Sequence, residues 1–197
     1  MIDPADALAC ARMLQDGAER VLDDLRLAER VAPYGELIRI GSAASGLMAT
    51  QDIDLGLICS VLAERPVFDI AGQLFSHPCV RRVQVNDERP PYERTGRPEH
   101  VGIYCGIRYC EDADRAREWK IDLWFFPSDA PRPEIRMRER LLAAPDDERL
   151  AILQLKHALL ADGRYGRDIF GIDVYRAVLD RGEQSLDEVI RGFMESD

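Results

Sequence analysis

Apolar and polar positions follow two rhythms along this chain, and the change between them falls near residue 130. Residues 4–31 mix Leu8, Met13, Val21, Leu25 and Leu27 with acids and arginines, and after Pro4 no proline interrupts until Pro33, which predicts a helix. Ile38-Arg39-Ile40 predicts a short strand ending at Gly41-Ser42. Asp52 to Cys59, dense in Ile and Leu, predicts a second. Pro66 occupies a favoured first-turn position for a helix running to about Phe75. Val80 to Val85 reads as a third strand, and the polar, proline-bearing stretch from Asn86 to Glu99 reads as a mobile loop. Val101 to Tyr109 and Trp119 to Phe126 are two further apolar strands. The charged segment between them, EDADRARE, suits an antiparallel hairpin with a long loop.

Beyond Pro131 the period becomes helical. Helices are predicted over Pro133–Ala143, Asp146–Ala161, Asp173–Asp180 and Ser185–Met194, with Leu150, Ile152, Leu153, Leu155, Ala158 and Leu159 as the apolar side of the second. Ser185-Leu186-Asp187-Glu188 is a capping-box pattern that marks the start of the last helix. Asp173, just ahead of an apolar run, is expected to be an N-cap. The pattern predicts an α+β chain with an N-terminal lobe over 1–130 and a C-terminal helical lobe over 131–197.

Composition adds limits. The chain has 197 residues, 46% hydrophobic and 31% charged, as in a folded globular protein able to bury a sizeable core. No run approaches the roughly 20 apolar residues that span a bilayer, and MIDPADALAC lacks a signal peptide's basic-then-apolar pattern, so a cytoplasmic protein without a membrane partner is expected. Five scattered cysteines without a CxxC pair argue against a structural zinc site or a disulfide framework. His77, His100 and His157 show no ligand spacing. The net charge of −10 argues against broad, non-specific nucleic-acid binding. Cations do concentrate between Arg132 and Arg167, as a protein holding a polyphosphate needs.

The segment richest in chemistry is IRIGSAASGLMATQDIDLGLIC. Nine residues separate Ser42 from Asp52-Ile53-Asp54-Leu55. Side chains at i and i+2 on a strand share a face, so Asp52 and Asp54 stand side by side while Ile53 and Leu55 point the other way. Two carboxylates held that close repel each other unless a cation lies between them, and carboxylate oxygen suits Mg²⁺. Gly41 allows close backbone approach to a ligand. Ser42 and the amides after it can donate to phosphate. Asp122, in the apolar run Lys120-Ile121-Asp122-Leu123-Trp124, needs something to compensate its charge. Either an ion pair with Lys120 or a nearby arginine, or a place beside Asp52 and Asp54 in a two-metal cluster, meets that need.

The order Ile40, Gly41, Ser42, a spacer, then Asp52-Ile53-Asp54-Leu55, with Asp122 on a later strand, resembles the DNA polymerase β-like nucleotidyltransferase superfamily. The resemblance covers residues 38–126 and implies a small mixed sheet flanked by helices. It also implies Mg²⁺ or Mn²⁺ held by Asp52, Asp54 and Asp122, with Asp122 helping to deprotonate an acceptor hydroxyl. Gly41 and Ser42 would grip the β- and γ-phosphates of a nucleoside triphosphate, and Lys156 would reach that triphosphate from a helix of the second lobe. The activity implied is transfer of a nucleoside monophosphate, AMP foremost, to a small molecule or protein with release of pyrophosphate. The alternative is a non-catalytic nucleotide-binding or interaction module, or a toxin–antitoxin component, of the same fold. Tyr165 is expected to pack in the core rather than stack on a base, and Trp119 and Trp124, an odd number apart, to face opposite sides of one strand.

Overall fold

The computed structural model describes residues 2–92, 101–111, 117–128 and 132–195. Half of the loop expected over Asn86–Glu99, and most of the EDADRARE turn, lie outside these residues. The chain begins with α1 (Pro4–Asp24), where Asp3 caps the helix by accepting from the Ala5 amide. The single helix expected over 4–31 is two: Arg26 takes a left-handed conformation (φ 47°), and α2 (Leu27–Val31) follows it. On a continuous helix Leu25 and Leu27 would point to different sides. The break lets both be buried.

The strands are β1 (Gly35–Ile40), β2 (Asp52–Cys59), β3 (Val80–Asp87), β4 (Ile103–Tyr109) and β5 (Trp119–Pro127), with α3 (Gly41–Ser45) after β1 and α4 (Glu64–Phe75) after β2. β1 starts three residues before the expected Ile38 and α4 two before Pro66. The sheet order is β1-β2-β5-β4-β3. β2 and β5 run parallel and the other three pairs antiparallel, which makes the sheet mixed.

One face of that sheet is the main core. Ile53, Leu55 and Leu57 of β2 and Ile121, Leu123 and Phe125 of β5 pack with Val21 and Leu22 of α1, Leu25 just beyond it, and Val67, Ile70 and Leu74 of α4. Each fully buried aliphatic side chain contributes about 2 kcal/mol through removal from water. The alternation that buries these residues turns Asp52, Asp54, Lys120, Asp122 and Trp124 to the other face.

The remaining helices are α5 (Pro133–Ala143), α6 (Asp146–Asp162), α7 (Gly171–Arg181) and α8 (Leu186–Met194). Their apolar sides form a second cluster with Ile152, Leu153, Leu155, Leu159, Val174 and Val189, and Ala7 and Ala11 of α1 and Leu47 join it. α1 thus belongs to both clusters. Ser185 and Glu188 form the expected capping box. Asp173 caps differently from expectation: Phe170 is the N-cap, and Asp173, in the first turn, accepts from the Phe170 amide at 2.8 Å. Among the described residues no helix is long and apolar enough to cross a membrane.

Candidate active site

The parallel pairing of β2 with β5 sets Asp54 directly opposite Asp122 and Asp52 opposite Lys120. Asp52, Asp54 and Asp122 each offer a carboxylate oxygen, and these oxygens lie within 4.8 Å of one another. The three acids predicted from sequence are therefore one cluster. An all-oxygen donor set at this separation fits a hard divalent cation such as Mg²⁺ or Mn²⁺.

The electrostatics reflect the crowding. Burial, then the charges of Asp52 and Asp122, pushes the Asp54 carboxyl up to about 7. Burial also raises Asp52, against the pull of Lys120. The Lys120 ammonium lies among the acids, donating to Asp122 Oδ2 at 2.6 Å and to both oxygens of Asp52 at 3.2 Å. Burial works to lower the Lys120 pKa, and the two carboxylates outweigh it, so its charge is held. The ion pair weighed for Asp122 exists, and it is shared with Asp52.

Gly41 takes a left-handed φ of 64°, and a Cβ there would overlap the Asp54 carboxylate. Glycine meets both demands. The α3 turn it opens is tied from several sides. Ser45 Oγ donates to the Gly41 carbonyl at 3.2 Å, Gln15 donates to the Ala43 carbonyl at 2.9 Å, and Arg149 of α6 donates to the Ser45 carbonyl at 2.7 Å. Gly41 and Ser42 face a cleft of about 1000 Å³ between this side of the sheet and helices α5 and α7.

Lys156 lies outside the lining of that cleft. It is fully buried in α6, and its ammonium donates to the Leu47 carbonyl and to the Tyr175 hydroxyl, each at 2.8 Å. Burial lowers its pKa to about 7, against the pull of Asp54 and Asp52. Tyr175 and Tyr165 do line the cleft. Tyr165 is part-buried, with the Lys156 ammonium 5.8 Å from its ring centre. Lys156 thus sits one layer behind the cleft wall.

Sequence reasoning missed the aromatic floor. The Tyr104 hydroxyl donates to Asp122 Oδ1 at 2.7 Å, and burial followed by the Asp122 charge raises its pKa. Gly106, opposite Asp122 in the ladder, leaves the space that the Tyr104 hydroxyl fills. Trp124 stands 5.1 Å from the Tyr104 ring and stacks in parallel on Phe126 at 5.8 Å, and the Arg132 guanidinium lies 3.7 Å over Phe126. As expected, the two tryptophans face opposite ways. Trp119 enters the core, while Trp124 lines the cleft. The signal was strand alternation: Trp124 and Phe126 share the face of Asp122. Arg136, Arg138, Arg140 and Arg176 add positive charge to the cleft wall of this acidic chain.

The mixed five-stranded sheet flanked by helices is that of a nucleotidyltransferase fold, and solved structures share it. Cid1 poly(U) polymerase bound to MgATP superposes with a TM-score of 0.61 at 18% identity, covering 85% of this chain and 50% of that one. A cytoplasmic RNA terminal U-transferase gives 0.57 at 18% identity, covering 84% and 47%. Cid1 in complex with its short product ApU gives 0.50 at 17% identity, covering 75% and 41%. The chain spans half or less of the length of these structures. At such identities the likeness is one of fold. No family model and no curated protein matches the sequence.

Proposed function

We propose that this protein is a metal-dependent nucleotidyltransferase that moves a nucleoside monophosphate, AMP in the first instance, from a triphosphate to an acceptor hydroxyl. The observation that carries the reading is the convergence of Asp52, Asp54 and Asp122 within 4.8 Å beside the Gly41 turn. Residues 1–130 act as the catalytic unit and 131–197 as the helical lobe that closes the cleft.

Asp52 and Asp54 hold Mg²⁺ or Mn²⁺, and Asp122 completes the set. When bound, the cation neutralises phosphate charge and polarises the reacting oxygens. Gly41 and Ser42 receive the β- and γ-phosphates, and the cleft arginines screen the remaining negative charge. The acceptor oxygen bonds to the α-phosphorus, the bond from that phosphorus to the bridging oxygen breaks, and pyrophosphate leaves. Asp122 takes the acceptor's proton, its carboxylate oriented by Tyr104. Lys120, which donates to Asp52 and Asp122, would compete with a cation for these carboxylates. Lys156 serves the nucleotide side indirectly, by fixing Tyr175 and the Leu47 backbone. Catalysis of this kind is mostly positioning and electrostatics.

A small molecule or a protein is the favoured acceptor. The net charge of −10 disfavours tracking along a polyanion, although the solved structures of this fold include RNA-modifying enzymes. The test is incubation with each nucleoside triphosphate labelled at the α-phosphorus, with Mg²⁺ or Mn²⁺ and cell lysate, followed by fractionation into small molecules, protein and RNA. Label transferred by the wild type and absent with Asp54→Asn supports the reading. Equal label with both proteins refutes it.

A further inference from the structure

We propose that Asp24, His77 and Cys79 form a second cation site, for Zn²⁺ or a similar borderline-soft divalent ion, on the opposite face of the sheet from the aspartate cluster. The three residues come from two segments: Asp24 is the last residue of α1, and His77 and Cys79 lie in the turn joining α4 to β3. One ligand atom from each lies within 4.8 Å of the others. The proposal stands apart from the proposed transferase activity and needs none of its residues.

The backbone under these ligands is pinned. The His77 amide donates to the Leu74 carbonyl at 3.0 Å, the Val80 amide to the His77 carbonyl at 3.0 Å, and the Cys110 amide of the neighbouring strand to the Cys79 carbonyl at 2.8 Å. The side chains are preset as well. His77 Nε2 lies 3.5 Å from Asp24 Oδ2, and the Tyr109 hydroxyl donates to that same oxygen at 2.6 Å. Tyr109 therefore acts as an outer contact that orients a ligand carboxylate. The His77 side chain is 15% exposed and that of Asp24 48%, so an ion can reach them from solvent.

Donor chemistry separates this site from the first. Thiolate, imidazole and a single carboxylate select Zn²⁺ over Mg²⁺, whereas three carboxylates do the reverse. The proton balance is defined. The Cys79 amide donates to His77 Nδ1 at 3.3 Å, so in the metal-free ring the proton rests on Nε2, facing Asp24. On binding, the cation takes the Nε2 position, the ring proton passes to Nδ1, and the Cys79 thiol releases its proton to solvent. The long amide contact to Nδ1 and the Nε2–Asp24 contact are both given up to the ion. The bound ion would clasp the end of α1 to the α4–β3 turn.

Co²⁺ titration of the full chain tests this, because a thiolate bound to Co²⁺ gives a charge-transfer absorption that carboxylates do not. One equivalent should produce the band, Zn²⁺ should abolish it, and excess Mg²⁺ should leave it unchanged. Cys79→Ser should lose it and His77→Gln should weaken binding at least tenfold. Cys110→Ser and Asp54→Asn should retain it, which separates this site from the aspartate cluster. Zn²⁺ should also raise the melting temperature of the wild type and of Asp54→Asn but not of Cys79→Ser, with circular dichroism confirming that each variant folds. A wild type without the band, or a band that survives in Cys79→Ser, overturns the site and leaves Tyr109, Asp24 and His77 as a hydrogen-bonded clasp.

Discussion

Gly41 and Asp54 are in direct opposition: the glycine Cα faces the aspartate so closely that any side chain there would overlap the carboxylate. The turn that opens toward the cleft and the central acid of the cluster are thus one unit. Gly41→Ala must move one of them, and it also places alanine at a positive φ that costs about 1–2 kcal/mol. Denaturant unfolding should register that loss. Mn²⁺ affinity should fall at least tenfold, and an unchanged affinity would show that the turn and the acid are independent.

Lys120 is a built-in competitor for the cation. Its ammonium, 2.6 Å from Asp122 and 3.2 Å from Asp52, occupies the space where positive charge is wanted. Lys120→Met should therefore strengthen Mn²⁺ binding to the nucleotide-free protein by about tenfold, or about 1.4 kcal/mol. Electron paramagnetic resonance of free Mn²⁺ measures this directly. Weaker binding in the variant would mean that Lys120 organises the acids instead of competing for them.

Buried Lys156 predicts a pH dependence with a definite sign. Its folded-state pKa of about 7 lies below the ordinary lysine value of 10.5. Between these limits the unfolded chain binds a proton that the folded chain does not, so stability rises with pH through this window. Below about pH 7 both states are protonated and the burial penalty is fully present. Each tenfold in proton affinity is worth about 1.4 kcal/mol. Relative to Lys156→Met, the wild type should gain stability between pH 7 and pH 9.5, measured by urea unfolding. A constant difference across that range would show that Lys156 keeps an ordinary pKa.

The two tryptophans of β5 should respond oppositely. Trp119 is 8% exposed and packs into the core against Gly17, so Trp119→Ala should cost about 3–5 kcal/mol of stability. Trp124 lines the cleft two residues from Asp122. Trp124→Ala should unfold within about 1 kcal/mol of the wild type while binding of nucleotide or acceptor weakens at least fivefold. Calorimetric titration and unfolding curves on the same samples separate the two effects.

What the sequence made legible is what strand alternation and local motifs encode. Asp54 and Asp122 each sit between buried apolar neighbours, and Asp52 lies two residues before Asp54, so the shared face of each strand followed from period two, and the Gly41-Ser42 turn supplied the context. The parallel pairing that brings Asp122 opposite Asp54 is a long-range choice and entered only through resemblance. The break at Arg26 left no local mark, because neither glycine nor proline is there, and tertiary burial of Leu25 and Leu27 imposes it. Lys156 reads from the sequence as a lysine reaching the triphosphate, and only packing of α6 against Leu47 and Tyr175 encloses it behind the cleft wall. Asp24, His77 and Cys79 escaped notice because separate segments meet there.

The most direct test of the central claim is Mn²⁺ binding, followed by electron paramagnetic resonance, with a non-hydrolysable nucleoside triphosphate present and absent. The account predicts that the triphosphate tightens Mn²⁺ binding to the wild type and that Asp54→Asn, still folded, abolishes the effect. Nucleotide binding that ignores the metal, or Mn²⁺ bound equally by Asp54→Asn, would contradict it.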